Sequence, residues 1–213
     1  MKNLASFGAI CALAAGASAA SADVLVGYDT SAITGSVASV TPSTVAGHLT
    51  GLNLTRGAGL NANGQAGYFS STGWDSTDAS DYMSFGLTVD SGYTVSLSQL
   101  AITMRSANSG PGTIGVYYSG DGFTTPLQSF AQDGLDDLDT IDLSSLGALT
   151  GTVEFRLLEI GNTRTTGTGA TTSSGTFRIT GPVISGSVSA LPAPGAAGLL
   201  GAAMLAGARR RWR

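Results

Sequence analysis

Hydrophobic residues along this chain recur at every second position. Met83, Phe85, Leu87 and Val89 alternate with Ser84, Gly86 and Thr88. Val95 and Leu97, then Leu100, Ile102 and Met104, repeat the pattern after a one-residue slip near Ser98-Gln99. Ile114, Val116 and Tyr118 continue it, as do Val153, Phe155 and Leu157 set against Thr152, Glu154 and Arg156, and Phe177 and Ile179 set against Thr176, Arg178 and Thr180. A period of two puts one face of a strand in a core and the other in water. The change of phase to Leu158 and Ile160 predicts a bulge at that point.

Turn signals separate the runs: Asp90-Ser91-Gly92, Asn108 to Gly112, Ser119-Gly120-Asp121-Gly122 and Gly161-Asn162. Asp142 to Leu146 reads as a short turn or helical kink. Thr163 to Gly175, nearly all Thr, Gly, Ser and Ala, reads as an exposed loop in preference to an O-glycosylation tract. No period of 20 to 50 residues recurs, which argues against a solenoid or propeller. The expected fold is all-β, an antiparallel β-sandwich of jelly-roll type with roughly nine to eleven strands.

The two ends are patterned differently. Met1 to Ala22 opens with Lys2, runs apolar from Leu4 to Ala15 broken only by Ser6, and closes in small residues. That is the layout of a secretory signal peptide, with cleavage expected after Ala22 in Ala20-Ser21-Ala22 and Ala17-Ser18-Ala19 as the other small-residue option. At the other end Leu191-Pro192-Ala193-Pro194-Gly195 precedes an apolar run to Ala208, and then come Arg209, Arg210, Arg211, Trp212 and Arg213. As a helix, Ala193 to Ala208 is about 24 Å long, a little under the hydrocarbon core of a bilayer, with arginines to snorkel. The arginines would hold that end in the cytoplasm and leave the body outside. Pro192 and Pro194 keep the segment before the helix extended.

This tail resembles the PEP-CTERM sorting signals of Gram-negative bacteria: a Pro-x-Pro element, a short transmembrane run and an arginine cluster, in a chain that also begins with a signal peptide. The resemblance covers about Leu191 to Arg213. Pro192 and Pro194 match the motif, while Leu191 stands where Val is usual and Ala193 where Glu is usual. It implies sorting and cleavage by an exosortase-type enzyme after signal peptidase, a membrane-anchored precursor transiently in the inner membrane, and residence at the cell surface or in the extracellular matrix. A plain single-span tail anchor is the alternative. The expected organisation is then signal peptide 1–22, β-sandwich 23–186, linker 187–190 and sorting signal 191–213.

Composition sharpens this picture. The 213 residues include 31 Gly and only 11% charged residues, which argues against a coiled coil, a basic nucleic-acid binder and a highly charged disordered chain. Between residues 23 and 190 five arginines stand against fourteen acids, a net charge of −9, where the whole chain carries −4. Such a body repels nucleic-acid phosphates. The lone cysteine, Cys11, falls in the signal peptide, so the sandwich has no disulfide, thiolate metal site or cysteine nucleophile.

Candidate chemistry is sparse. His48 is the only histidine and reads as a polar strand or loop residue; neither G-x-S-x-G nor H-E-x-x-H occurs. Five carboxylates fall between Asp133 and Asp142, and Asp133, Asp136, Asp137 and Asp139 form a compositional calcium candidate without the spacing of a calcium loop. The other reading of this run is a charged strand edge in which Asp137 and Asp139 face water. Tyr68, Phe69 and Trp74 cluster near Asp75 and Asp78, and Tyr117, Tyr118 and Phe123 flank a glycine turn. Exposed rings stack on sugars, which makes Tyr68, Trp74 and Tyr117 the glycan-stacking candidates, against core filling for Trp74 and Tyr118. The sequence thus predicts a non-enzymatic, cofactor-free exported sandwich with a structural or adhesive role, calcium being the one candidate ion. The alternatives are a carbohydrate-binding module that meets extracellular polysaccharide and a glycan-active enzyme.

Overall fold

The computed structural model of the chain describes residues 22–33 and 36–192. Ala20, Ala193, Pro194, Arg209, Arg210, Arg211 and Arg213 lie outside the described residues. In chain order the strands are β1 (Asp23–Gly27), β2 (Thr44–Val45), β3 (Leu49–Arg56), β4 (Asn61–Ala62), β5 (Phe69–Thr72), β6 (Tyr82–Val89), β7 (Tyr93–Ser106), β8 (Thr113–Tyr118), β9 (Pro126–Ala131), β10 (Asp137–Asp142), β11 (Ala148–Leu149), β12 (Thr152–Glu159) and β13 (Phe177–Ala190). Short 3₁₀ turns occupy Ser119–Asp121 and Ser144–Leu146. The thirteen strands among the described residues exceed the nine to eleven expected, and three of them are two-residue pairings.

The strands form two antiparallel sheets. One runs β10-β7-β13-β1-β2, with β5 and β4 continuing it beside β13 and β11 beside β7; the other runs β3-β6-β12-β8-β9. The long central pair β7 and β13 is the spine of the first sheet. On its far side β13 serves two partners in turn, β5 through Phe177 to Ile179 and β1 through Val183 to Gly186. Gly181, at φ 58°, and Pro182 fall in the register break between them. A bulge there suits proline, which has no N–H to give to a ladder.

Inward residues of both sheets make one core. Phe85, Leu87, Phe155 and Leu157 face Leu100, Ile102, Met104, Ile179 and Ile184, all buried. The slip at Ser98-Gln99 is present: Gln99 pairs with Ser185 and Leu97 with Gly186, leaving Ser98 unpaired. Tyr28, just past β1, ties the sheets together, its hydroxyl donating to Leu52 O at 2.5 Å and accepting from Gly86 N at 3.2 Å.

Three expectations fail. The bulge after Leu157 is absent, because β12 keeps register with β6 through Leu158 and with β8 through Glu159. Glu159 therefore takes the next inward place and is 6% exposed. Residues 187–190 are not a linker: Ser187 to Ala190 pair with Ser96 to Tyr93, and Leu191 N–H then donates to Gly92 O at 2.8 Å. Asp139 does not turn outward, since it lies half-buried opposite the inward Ile102 while Leu138, opposite Thr103, is 70% exposed; Asp137, at the start of the strand, is exposed as expected. The need to bury Ile141 sets that phase.

Candidate functional site

The outer face of the five-stranded sheet carries a compact aromatic and charged cluster. Register places Thr55, Ser84, Arg156 and Tyr117 in one row across β3, β6, β12 and β8. Arg156 Nε donates to Glu154 Oε1 at 2.8 Å, two residues along the same strand and so on the same face. The Arg156 guanidinium carbon lies 4.2 Å from the ring centre of Tyr82 and 3.8 Å from that of Phe123. Aromatic rings attract a guanidinium electrostatically, which fixes a long side chain that would otherwise move freely.

Local structure sets each part in place. Phe123 follows the Ser119–Asp121 turn in a left-handed conformation, φ 60°. Its N–H donates to Tyr118 O at 3.1 Å, while the Asp121 carboxylate accepts from Thr124 N at 3.2 Å and Thr125 N at 3.1 Å. This network turns the ring back over β12. Ser119 Oγ accepts from Glu154 N at 3.0 Å and joins the turn to the strand that carries the ion pair. Beside them Gly115 leaves room for the Tyr117 ring, since a Cβ there would come within 2.8 Å of it.

The face is half-exposed: the side chains of Arg156 and Glu154 are 26% and 25% accessible, and Tyr82, Tyr117 and Phe123 are intermediate. It offers apolar ring surface, a guanidinium with N–H groups to donate and a carboxylate to accept. Held planar groups of this kind can hydrogen-bond a hydroxyl-rich ligand while rings contact its apolar face.

The sequence-predicted residues are not gathered in one place. Tyr117 belongs to this face. Tyr68 lies on the other sheet, where its hydroxyl donates to Asp136 Oδ2 at 2.9 Å and where Arg105 Nη1 stands 3.4 Å from the same oxygen. That hydrogen bond, with partial burial, raises the Tyr68 hydroxyl above its ordinary range. Trp74 is not available to a glycan: it is fully buried, edge-on to Phe177 at 5.4 Å, with its indole N–H donating to Ser71 O at 3.2 Å. Tyr118 faces the core against Phe155, and His48 stacks on Tyr93 with ring centres 3.7 Å apart.

The four aspartates proposed for calcium are divided. Asp136 serves Tyr68 and Arg105, whereas Asp137 and Asp139 sit on the opposite face of β10, with Asp137 close to Asp133. Partial burial and the charge of Asp137 push Asp139 up to about 6. Among the described residues no group of three or more His, Cys, Asp or Glu is arranged to hold a metal ion.

Sequence reasoning missed Glu154, Arg156 and Tyr82. Their signal was present as the polar phase of β12 and the first residue of β6, yet outward charged residues on a strand ordinarily do no more than meet water.

No family model matches the chain, and no curated protein matches it. Solved structures with some likeness include family 29 carbohydrate-binding modules. One, complexed with mannohexaose, is 10% identical with a TM-score of 0.41, covering 78% of this chain and 93% of its own. A module from Piromyces equi is 10% identical with a TM-score of 0.38, covering 78% and 89%. Likeness this distant assigns neither a family nor a ligand to the chain.

Proposed function

We propose that this protein is an exported, non-catalytic β-sandwich of jelly-roll type that binds polysaccharide through the outer face of its five-stranded sheet. The observation that carries the reading is the Arg156 guanidinium held against Tyr82 and Phe123, paired to Glu154 and next in row to Tyr117. The ion pair leaves the site without net charge, which fits a neutral sugar better than a charged one. Sugar rings present apolar C–H faces and a rim of hydroxyls, and the cluster supplies both complements. Because the carboxylate is tied to Arg156, the site binds rather than hydrolyses.

The tail resemblance supports delivery to the cell surface or extracellular matrix by signal peptidase and an exosortase-type enzyme, where polysaccharide is the abundant partner. A glycan array that includes neutral plant and bacterial polysaccharides tests the binding reading. Retention of the full-length protein on at least one neutral polysaccharide is expected, and no retention on any of them would count against it. The mass of the protein recovered from its producer tests delivery: loss of both end segments is expected, and a retained tail contradicts processing.

A further inference from the structure

A second row of side chains crosses the outer face of the other sheet. Ser70 on β5, Arg178 on β13 and Arg105 on β7 lie side by side by register, and Asp136, just before β10, closes the row. Tyr68 lies over it: its hydroxyl reaches Asp136, and the Arg178 guanidinium carbon is 5.5 Å from its ring centre. Two arginines directly opposite each other on neighbouring strands repel. Arg105 has Asp136 at 3.4 Å, but among the described residues Arg178 has no ion-pair partner.

The row is also short of acceptors. Ser70 Oγ, Arg178 Nε and Arg105 Nε are each buried without a hydrogen-bond partner, and Ser70 as a residue is 1% exposed. Ser70 and the two Nε atoms are shut off from solvent, so an incoming anionic acceptor would meet the outer nitrogens of the two guanidiniums, which remain partly accessible. Beside the row on the same face lie Thr103, with the exposed Leu138 opposite it, and Thr180, whose hydroxyl meets that of the buried Thr30 at 2.6 Å, so the open part of the face is the Tyr68 ring and the two arginines. Asp137 and Asp139, the carboxylates nearest along β10, point to the opposite face and do not neutralise the pair.

We propose that Tyr68, Arg105 and Arg178 form a second saccharide site that takes a sugar bearing an oxyanion, a uronate or a sulfate ester. The two sheets would then hold different glycans on opposite sides of one molecule, a neutral chain by Arg156 and an acidic chain by Arg178. The idea rests on the glycan-binding reading for its setting but on separate residues. Guanidinium forks match planar carboxylates and sulfate oxygens, and such charge-assisted bonds are stronger than neutral ones.

Binding of the full-length protein to polygalacturonate, dextran sulfate and uncharged dextran tests it. One or both anionic polymers are expected to bind, more weakly at higher salt, with dextran far behind. Arg178→Ala and Tyr68→Ala should each weaken that binding by about tenfold or more, with a cooperative melting transition retained in both, while Arg156→Ala leaves it intact. Preference for polygalacturonate identifies a uronate, and preference for dextran sulfate a sulfate ester. Absence of binding to both, equal binding of dextran, or wild-type affinity in Tyr68→Ala and Arg178→Ala overturns the proposal. Failure of the neutral site would show differently, as loss of neutral-polysaccharide binding with the anionic response preserved.

Discussion

Phe123 holds a left-handed backbone, φ 60°, and sets its ring 3.8 Å from the guanidinium carbon of Arg156. A residue with a Cβ carries a cost of about 1 kcal/mol or more in that conformation. The strain places an aromatic ring where a glycine would be the easier choice for the turn.

Phe123→Gly separates the two effects. Relief of backbone strain offsets the lost ring contact, so the urea midpoint should move by no more than the equivalent of about 1 kcal/mol. Binding to neutral polysaccharide should fall, because Arg156 loses one of its two rings. Undiminished binding in a variant of near-native stability would remove Phe123 from the site.

Tyr28 joins the two sheets, and Tyr28→Phe removes only the joint. The phenol is buried, and burial pushes its pKa up to about 12, so it remains a neutral donor to Leu52 O. Loss of that bond and of the one from Gly86 should cost about 1–3 kcal/mol in denaturant unfolding. A cost near zero would show that the hydroxyl does not link the sheets.

Stability should fall as pH rises from about 4.5 to about 7. Burial first, then the nearby charges of Asp81 and Asp75, push Glu159 up to about 7 from its ordinary 4.5, although Thr171 donates to it. In that window the unfolded chain has released the proton and the folded chain keeps it, so folding is favoured on the acid side and the advantage is lost as pH rises. Asp139 acts in the same direction between 3.8 and about 6. Glu159→Gln should flatten the profile and leave the protein more stable than wild type above pH 7, on the order of 2 kcal/mol. A variant whose thermal midpoints run parallel to wild type from pH 4 to 8 would contradict this assignment.

Trp74 is core, so its role and that of the exposed rings can be told apart. Trp74→Ala opens a cavity against Phe177 and should cost about 3–5 kcal/mol. Trp74→Phe should fold and bind polysaccharide as wild type does. Weaker binding in that variant, at native stability, would place the indole at a site after all.

The sandwich was legible because strand alternation is a local property. Met83 to Val89 and Val153 to Leu157 announce their buried faces without reference to any partner, and the slip at Ser98-Gln99 is visible as a change of phase. Glu159 misled because the eye follows Leu158 and Ile160, whereas pairing with β6 and β8 holds β12 in step and buries the acid. The acidic run misled in the same way: Ile141 must enter the core, and that turns Leu138 outward and Asp139 inward. Ser187 to Ala190 look like linker because they are few and small and lie next to the prolines, yet β7 is long enough to pair with all four. The site itself was the least legible part. Arg156 meets Ser84 and Tyr117 only through the register of three strands, and Phe123 reaches it only through a left-handed turn, neither of which leaves a spacing in the sequence.

The most direct test of the account is affinity electrophoresis of the full-length protein and its variants through gels containing a neutral polysaccharide retained on the array. Wild type and Tyr68→Ala should be retarded alike, while Arg156→Ala and Tyr117→Ala should migrate as in a gel without polysaccharide. Equal retardation of all four proteins would contradict a binding site on the outer face of the five-stranded sheet.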